Sequence, residues 1–377
     1  MAGRKDGARP RRGGGIASII DTDAAAAHEV FQSYAGMEGL PAAPPRPRIT
    51  AREFFLSVYP GLLAAATIAL AASWLSQHYG APVMLFALLF GMAFHFLHEE
   101  GRCVGGIEFA SKAVLRTGVA LLGARITLDQ ILGLGWAPIA IVVAGVSSTL
   151  ALGYMLGRAM GLTRGFGLLS GGSVGICGAS AALAIASVLP KTRESERDVI
   201  LVVVVVTALS TVAMIVYPLL VTALGLGETR GGLFLGGTIH DVAQVVGAGY
   251  MISPGTGEVA TYVKLLRVAL LLPAVFAIAL VIARKGEGPA QLAAPLPLFL
   301  LAFAALVLVN SLGFVPAAAA AAAGEASRWC LVVAISALGM KTSFRALAQA
   351  GWRPVAVIVL ETLWIAGLVL AGVELLT

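Results

Sequence analysis

The sequence predicts an all-α polytopic membrane protein with about eleven transmembrane helices. Hydrophobic residues make up 58% of its 377 residues and charged residues only 12%, whereas a soluble domain carries about 25% charged residues. Apolar runs of about 18 residues or more, each long enough to cross a bilayer, recur after residue 52. An internal repeat and two glycine-rich apolar segments indicate inverted repeats and discontinuous helices, which are typical of secondary transporters.

The first 52 residues differ from the rest of the chain. They are rich in arginine, glycine, proline and alanine, and they lack the apolar core of a signal peptide. We therefore expect a disordered cytoplasmic tail over residues 1–52 and a transmembrane transporter domain over residues 53–377. Five basic residues of the chain, whose net charge is +6, lie in the first twelve positions, so this charge does not indicate nucleic-acid binding.

Eleven apolar segments follow this tail, and each is predicted to cross the bilayer. Basic residues cluster in alternate loops, which favours a cytoplasmic N-terminus under the positive-inside rule. The loop over residues 190–198 disagrees, because its three basic residues would then lie outside. The predicted spans lie near residues 55–77, 82–98, 106–124, 137–157, 166–189, 199–226, 231–252, 260–283, 295–313, 327–345 and 352–376.

An internal repeat joins the two ends of this domain. Residues 121–139 align with residues 337–355 without a gap, which places Arg125 opposite Lys341 and matches a shared Gly-Trp-x-Pro. The segments before them also match, so the repeat halves cover residues 82–157 and 295–376. The copies lie seven predicted spans apart, an odd number, so we expect them to be inverted, with a binding site near the midplane.

Two glycine-rich segments, over residues 167–184 and 232–249, resemble each other. Glycine pairs unwind a helix at low cost, and a membrane tolerates a broken helix only where its backbone faces protein or a water-filled cavity. We predict breaks at Gly171–Gly172 and Gly236–Gly237 and interpret Gly178 as a helix-packing residue. The two segments lie two predicted spans apart, so they would run in the same direction and could not be inverted partners.

His240 and Asp241 form the most informative polar pair, because an ionisable group inside a span is functional by default. They follow Gly237 by three and four residues, and Gln244 lies one turn further on. Asp241 can carry a proton or a cation, and a histidine can change its charge near neutral pH. The alternative is that Asp241 caps a helix that begins at the cytoplasmic surface.

Basic residues also lie inside or beside the spans. Lys264 and Arg267 are three positions apart and share a helix face, although residues of this kind near a span end can simply extend toward water. The cations outnumber the acids, which are Asp241 and Glu361. A cavity with excess positive charge, broken helices and hydroxyl groups suits a small anion.

The motifs GGSVGICGASAALA, GGTIHDVAQVVGAG, VKLLRVALLLP and TGVALLGARITLDQI resemble the YeiH family of bacterial inner-membrane proteins, which carry the label of sulfate exporters. The resemblance covers about residues 50–377. It implies a fold of the sodium/proton-antiporter and bile-acid-symporter type. The family's core motifs fall here at Ser173, Cys177, Gly178 and Ser180, and at His240 through Val245.

These observations predict a secondary active transporter of the bacterial inner membrane, not an enzyme, that exports a small anion such as sulfate in exchange with or together with protons or sodium. The three cysteines show no metal-ligand spacing, so neither a metal nor a cofactor is expected, and a homodimer is left open. The predicted substrate contacts are Gly171, Gly172, Ser173, Cys177, Ser180, Gly237, Thr238, Lys264 and Arg267; the ion-coupling residues are His240, Asp241 and Gln244; Arg125 and Lys341 are secondary candidates.

Two alternatives remain at this stage. The first is a cation/proton antiporter that uses Asp241 as its carrier. The second is an intramembrane serine hydrolase, in which Ser173 or Ser180 would need a base such as His240 within hydrogen-bond reach.

Overall fold

The computed structural model describes residues 50–190, 193–284, 298–342 and 351–376, and every regular element in these ranges is helical, as predicted. The predicted tail, apart from its last residues, lies outside the described residues, as do residues 343–350 of the repeat motif. The helices are α1 (Ala51–Tyr79), α2 (Val83–Ala93), α3 (Phe96–Glu99), α4 (Val104–Phe109), α5 (Leu115–Leu122, joined to α4 by a π-helical turn at Ala110–Val114), α6 (Leu128–Gly133), α7 (Ala137–Ala159), α8 (Arg164–Gly175), α9 (Ala179–Val188), α10 (Arg193–Ala223), α11 (Glu228–Thr238), α12 (Val242–Ile252), α13 (Pro254–Ala269), α14 (Leu271–Arg284), α15 (Leu298–Ser311), α16 (Ala317–Lys341) and α17 (Trp352–Leu376).

Within the described ranges, six stretches are long and apolar enough to cross a membrane as single helical units. They belong to α1, α7, α10, the consecutive pair α13–α14, α16 and α17. The other predicted spans fall on shorter apolar helices, including α2 and α15, or on pairs of short helices. The described part of all eleven apolar segments is therefore helical, and the two glycine-rich segments are discontinuous.

The helices connect two faces of the bundle. We call the end at which α1 begins face A and the opposite end face B. An ion pair between Arg125 at the end of α5 and Glu258 near the start of α13 marks face B. A hydrogen bond of 2.6 Å from Thr163 before α8 to Asp198 near the start of α10 marks face A. The contacts between neighbouring helices place α1, α5, α10, α15 and α17 as running toward face B, and α2, α7, α13–α14 and α16 as running toward face A.

The first glycine-rich segment is a helical hairpin and does not pass straight through the bundle. α8 and α9 pack side by side, so that a methyl group added at Gly172 would collide with the side chain of Ile185. A methyl group at Gly165 would likewise lie 3.7 Å from Leu189. In a straight broken helix these pairs would be about 20 to 35 Å apart at a rise of 1.5 Å per residue. α8 and α9 therefore both have their outer ends at face A, and we call them hairpin 1.

The second glycine-rich segment is a hairpin of the opposite orientation. Gly255, three residues after the end of α12, lies against the carboxylate of Glu228, the first residue of α11. α11 runs alongside α13, with Gly232 against Val259 and Gly236 packed on the backbone of the same helix. α11 and α12 therefore both have their outer ends at face B, and we call them hairpin 2.

A single crossing, α10, separates the two hairpins. Its residue Asp198 contacts the base of hairpin 1, and Val221 near its end contacts Gly231 at the base of hairpin 2. The hairpins enter from opposite faces and are inverted relative to each other. The expectation that the two segments run in the same direction is therefore wrong, because neither segment crosses the bundle.

The terminal repeat is also inverted. α2, α5 and α7 of the first half run in directions opposite to their counterparts α15, α16 and α17 of the second half. Arg125 accordingly lies at face B and its aligned partner Lys341 at the other end, paired with Glu108. Gly135 and Gly351, which precede the tryptophan of the repeat, both have left-handed backbone angles, with φ of 71° and 80°.

The predicted positions of the helix breaks are wrong. The chain leaves the helix at Ile176–Gly178 and at Ile239–Asp241, several residues after each glycine pair. Gly171 and Gly236 lie inside α8 and α11, where a side chain would collide with the backbones of α7 and α13. Gly178, which we interpreted as a packing residue, forms the turn, because its φ of 66° is one that other residues rarely adopt.

The hairpin topology predicts which helix ends are accessible from the same side of the membrane. In a variant without Cys103, Cys177 and Cys330, single cysteines at Arg164→Cys and Pro190→Cys, the two ends of hairpin 1, are expected to react with a membrane-impermeant maleimide from the same side. Gly227→Cys, at the base of hairpin 2, is expected to react from the other side. Reaction of the first two positions from opposite sides would show that the segment runs straight through.

Candidate functional site

The tips of the two hairpins meet inside the bundle. Tip 1 is Ile176–Gly178 and tip 2 is Ile239–Asp241. A methyl group added at Gly178 would lie 3.6 Å from the carbonyl oxygen of His240. The ends of α8 and α11 leave carbonyl groups at the tips without helical partners. In a bilayer such groups need partners from the protein, because no bulk water reaches them.

Arg267 of α13 binds the carbonyl groups of both tips. Its Nε donates to the oxygen of Gly175 at 2.9 Å, and its Nη2 donates to Val174 at 2.6 Å. Its Nη1 donates to Gly236 at 3.2 Å and to Ile239 at 3.1 Å. The guanidinium is 1% exposed. Its fork of donors suits several fixed acceptors better than an ammonium would.

Lys264, one turn earlier on α13, makes the same kind of bridge. Its Nζ donates to the carbonyl of Ile176 at 2.7 Å and to that of Ile239 at 3.0 Å. Both cations therefore lie at the negative ends of α8 and α11, where the helix dipoles favour positive charge. The interpretation that these residues extend from a span end to water is wrong, because both side chains are fully buried at the tips.

The two predicted hydroxyl groups at the tips are bonded to their own helices. Ser173 Oγ donates to the carbonyl of Leu169 at 2.5 Å, and Thr238 Oγ1 donates to that of Phe234 at 2.6 Å. Both residues are fully buried. Each hydroxyl oxygen can still accept a hydrogen bond, but its proton is already directed along the helix.

Asp241 caps the second half of hairpin 2. Its Oδ1 accepts a bond of 2.8 Å from the backbone N–H of Ala243, and its own N–H donates to Ser210 of α10 at 3.1 Å. The capping alternative is therefore correct in its chemistry. It is wrong in its location, since this helix begins at the tip inside the bundle and not at a surface.

His240 lies between α17 and tip 1. Its Nε2 lies 3.0 Å from Thr362 Oγ1 of α17, and that hydroxyl also lies 2.7 Å from the carbonyl oxygen of Ile358. The hydrogen of the neutral ring is on Nε2 when Thr362 donates to Ile358, and on Nδ1 when Thr362 donates to Nε2. Nδ1 is buried with no side-chain partner in the described residues, and the ring lies beside the backbone of Val174.

Some of the remaining predicted residues lie near the tips, and others lie within the helices that lead to them. Gln244 is fully buried, and its Nε2 donates to Thr211 of α10 at 2.8 Å. Cys177 is buried in tip 1, and Ser180 lies in the first turn of α9. Gly171, Gly172 and Gly237 lie within helices and pack against α7, against Ile185 and against Val369.

The two secondary candidates lie away from the tips. Arg125 pairs with Glu258 at 3.4 Å at face B, and Lys341 pairs with Glu108 at 2.8 Å near face A. Arg125 also lines a cavity of about 560 Å³ that opens between α5 and α16. The structure does not bring either residue to the hairpin tips.

The sequence reasoning missed the contributions of α10 and α17. Ser210 and Thr211 of α10 bind tip 2 and Gln244, and Thr362 of α17 binds His240. Single hydroxyl residues in apolar helices give no pattern that would have singled them out. Glu361, beside Thr362, is recognisable in the sequence as an acidic residue within an apolar span, but the sequence does not indicate its role.

Comparison with known proteins identifies the family. The family described as conserved hypothetical protein 698 matches residues 60–358 of this chain. A UPF0324 membrane protein of Chlorobaculum tepidum is 54% identical over 84% of this chain and 89% of its own length. The chain belongs to the UPF0324 family of membrane proteins. The UPF0324 membrane protein TauZ of Paracoccus pantotrophus is 49% identical over 87% of this chain and 98% of its own length.

The UPF0324 match confirms the YeiH-type resemblance, and it covers both hairpins, α10 and α13. Among solved structures, the sodium/proton antiporter MjNhaP1 from Methanocaldococcus jannaschii at pH 8 is similar with a TM-score of 0.28 and 11% identity, over 85% of this chain and 99% of that chain. A TM-score of this size does not define a fold, and the assignment as an all-α membrane protein with discontinuous helices comes from the helices described above.

Proposed function

We propose that this protein is a secondary active transporter of the bacterial inner membrane that moves a small anion such as sulfate, coupled to protons or sodium. The observation that carries the proposal is the meeting of two oppositely inserted hairpin tips, held together by Lys264 and Arg267. A site between such tips can open to either face in turn when one bundle moves against the other, which is the basis of alternating access.

The charge at the tips favours an anion. Lys264 and Arg267 carry two positive charges and Asp241 one negative charge, so the three groups sum to +1 when all are ionised. The carbonyl groups that the cations bind carry only partial charges. In surroundings of low dielectric this excess attracts an anion far more strongly than it would in water. The N-terminus of α9, whose N-cap is Gly178 in tip 1, adds backbone donors to the same place.

His240 offers a route for coupling to protons. Protonation would make both ring nitrogens donors, which gives the ring an additional proton to offer to an anion. Lys264 and Arg267, both bonded to the adjacent carbonyl of Ile239, oppose a third positive charge until an anion arrives. Proton and anion are therefore expected to bind together, so the affinity for the anion should rise as the pH falls.

The two alternatives are less well supported. A cation carrier at Asp241 would have to compete with two nearby cations and with the capping bond from Ala243. In the hydrolase alternative, Ser173 would need to donate to a histidine, but its hydroxyl is bonded to Leu169 and His240 Nε2 to Thr362. Neither arrangement matches what these chemistries require.

Face A is proposed as the cytoplasmic face. Hairpin 1 returns the chain to face A, so the described residues of the 190–198 segment, which disagreed with the positive-inside rule, lie on the same face as the other basic helix ends. Among the basic residues near helix ends whose side chains the structure describes, those at face A are Arg52, Arg102, Arg158, Arg164, Arg197, Lys341 and Arg353, and those at face B are Arg125 and Arg230.

Thermal unfolding of the purified full-length protein tests the proposal. Sulfate, an organic sulfonate and chloride would be titrated at several pH values, with and without sodium. We expect one anion to stabilise the protein by about 2.7 kcal/mol at a hundred times its Kd, with a lower Kd at lower pH. Stabilisation by sodium in the absence of any such anion would instead support the cation/proton antiporter.

His240→Ala is expected to weaken the binding of this anion about tenfold and to remove the pH dependence of its Kd. A tenfold loss corresponds to about 1.4 kcal/mol, near the lower end for a hydrogen bond to a charged group. The matched control is His78→Ala, which replaces an exposed histidine near the end of α1. Equal affinities and pH profiles for the two variants would rule out His240 as part of the anion site.

A further inference from the structure

A buried carboxyl group lies between hairpin 1 and α17, apart from the tips. Glu361 is fully buried, and its Oε1 accepts a hydrogen bond of 2.7 Å from Ser170 Oγ of α8. Its Oε2 is buried without a hydrogen-bond partner in the described residues. The hydroxyl of Thr149 on α7, a helix that packs against the same part of α8, is also buried and unpartnered.

No cation in the described residues forms an ion pair with Glu361. Burying an ionised carboxylate without a counter-charge costs several kcal/mol, so the packed arrangement requires the neutral acid. The charged or titratable groups with described side chains on the elements packed against α17 lie elsewhere along them: Tyr154 and Arg158 on α7, Arg164 on α8, Glu194, Arg197, Asp198 and Tyr217 on α10, Glu228 and Arg230 on α11, of which Arg230 pairs with Glu374, and His240 at tip 2.

The carboxyl group is packed tightly on the side of its Oε1. A methyl group added at Gly153 of α7 would collide at once with the Glu361 carboxylate, the carbonyl of Gly167 and the backbone of Gly171. The backbones of α7 and α8 are therefore in direct contact beside Glu361. A sodium ion needs several oxygen ligands arranged around it, whereas a proton needs only one oxygen.

We propose that Glu361 is a proton-binding site that locks α17 to hairpin 1, and that its deprotonation accompanies the separation of these two elements. The carboxyl O–H bond breaks when water reaches it, the proton passes to water, and the electron pair stays on the carboxylate. That charge keeps the contact open until a proton returns. This inference rests on the proposed transport function, because it assigns the proton one step of the transport cycle.

The proton site is connected to the tips through one helix. Thr362, the residue after Glu361, binds His240 at tip 2, while Glu361 binds Ser170 in hairpin 1. Consecutive residues of α17 thus hold the two hairpins that enter from opposite faces. A movement of α17 away from hairpin 1 changes the position of Thr362 relative to tip 2, which links the proton on Glu361 to the anion site.

The test uses the full-length protein in lipid and the variants Glu361→Gln, Glu361→Asp and Glu374→Gln. Glu374 lies on the same helix, is exposed, and serves as the matched control. Infrared difference spectra between high and low pH are expected to show a protonated-carboxyl band that is absent in Glu361→Gln and present in the other two variants. Ser170→Ala is expected to shift this band, because Ser170 is the one hydrogen-bond partner of Glu361 in the part of the chain that the structure describes.

Transport measurements separate this inference from the proposed function. In proteoliposomes, Glu361→Gln is expected to bind the anion as the protonated wild-type protein does, because the amide resembles the neutral acid, and to keep the pH dependence that His240 contributes, but to lose about tenfold or more of the uptake driven by a pH gradient. Glu361→Asp should retain driven uptake.

A carboxyl band that persists in Glu361→Gln, or driven uptake at the wild-type rate in that variant, would overturn the inference. Absence of anion movement in the wild-type protein would count against the proposed function, while the band would still report the proton site. If Glu361→Gln does not fold, an unshifted band in Ser170→Ala would overturn the assignment.

Discussion

Replacing Arg267 with methionine is expected to destabilise the protein more than any other single change at the tips. Methionine fills much of the same volume but removes the donors that bind Val174, Gly175, Gly236 and Ile239. All four carbonyl groups lose their bond to Arg267, but Ile239 keeps a bond to Lys264, so three are left without this side-chain donor. Each unsatisfied buried group costs about 1–3 kcal/mol, so the expected loss is about 3–9 kcal/mol, comparable with a typical total stability of about 5–15 kcal/mol.

The measurement is thermal unfolding of Arg267→Met, Arg267→Lys and the control Arg328→Met in detergent. Arg328 is exposed and pairs with Glu325 one turn away, and such surface pairs contribute about 0–1 kcal/mol. We expect Arg267→Lys to be intermediate, because a lysine keeps the charge but cannot hold the same fork of bonds. If Arg267→Met unfolded at the same temperature as Arg328→Met, the bonds at the tips would not be holding the hairpins together.

Gly178→Ala is expected to disrupt tip 1 and, with it, anion binding. Gly178 has φ 66° and ψ −131°, a combination that is sterically open to glycine and strained for alanine. Such strain costs about 1–3 kcal/mol, and the added methyl group would lie 3.6 Å from both the His240 carbonyl and the Val206 side chain. The turn cannot relax without moving tip 1 against tip 2, so the anion affinity is expected to fall together with the stability.

Gly161→Ala provides the matched control for this change. Gly161 also has a positive φ of 71°, but it lies in an exposed turn before α8 with no atom within 4 Å of an added methyl group. Thermal unfolding and anion titration of both variants separate backbone strain from disruption of the site. We expect both variants to lose stability and only Gly178→Ala to lose affinity. Unchanged affinity in Gly178→Ala would place the anion away from tip 1.

The arrangement of the hairpins has a direct consequence for how a transport cycle could work. Hairpin 1 and hairpin 2 enter from opposite faces, and Lys264 and Arg267 bind the carbonyl groups of both tips from one helix, α13. Movement of one hairpin alone would break these bonds. The tips and α13 are therefore expected to move as a unit, so alternating access requires motion between this unit and the rest of the bundle.

The local sequence was sufficient to predict much of this protein. Low charge and recurring apolar runs gave the all-α membrane class, because any other backbone would leave polar groups unpaired in lipid. The ungapped match around Gly-Trp-x-Pro gave the inverted terminal repeat, which the opposite directions of α7 and α17 bear out. The cost of burying ionisable groups drew attention to Lys264, Arg267, His240 and Asp241, and all four lie at the hairpin tips.

Only the tertiary structure decided that the two glycine-rich segments turn back. A broken span and a re-entrant hairpin have the same local pattern, two apolar halves around a break, and they differ only in which distant residues the second half packs against. Contacts such as Gly172 with Ile185, and Gly255 with Glu228, settle that difference.

The hydrogen-bond acceptors of Lys264 and Arg267 were also decided only by the tertiary structure. Their charge and their burial could be predicted from their positions in an apolar segment. Their acceptors, however, are carbonyl groups of two segments about 25 to 90 residues away. No spacing in the sequence predicts that these segments come together.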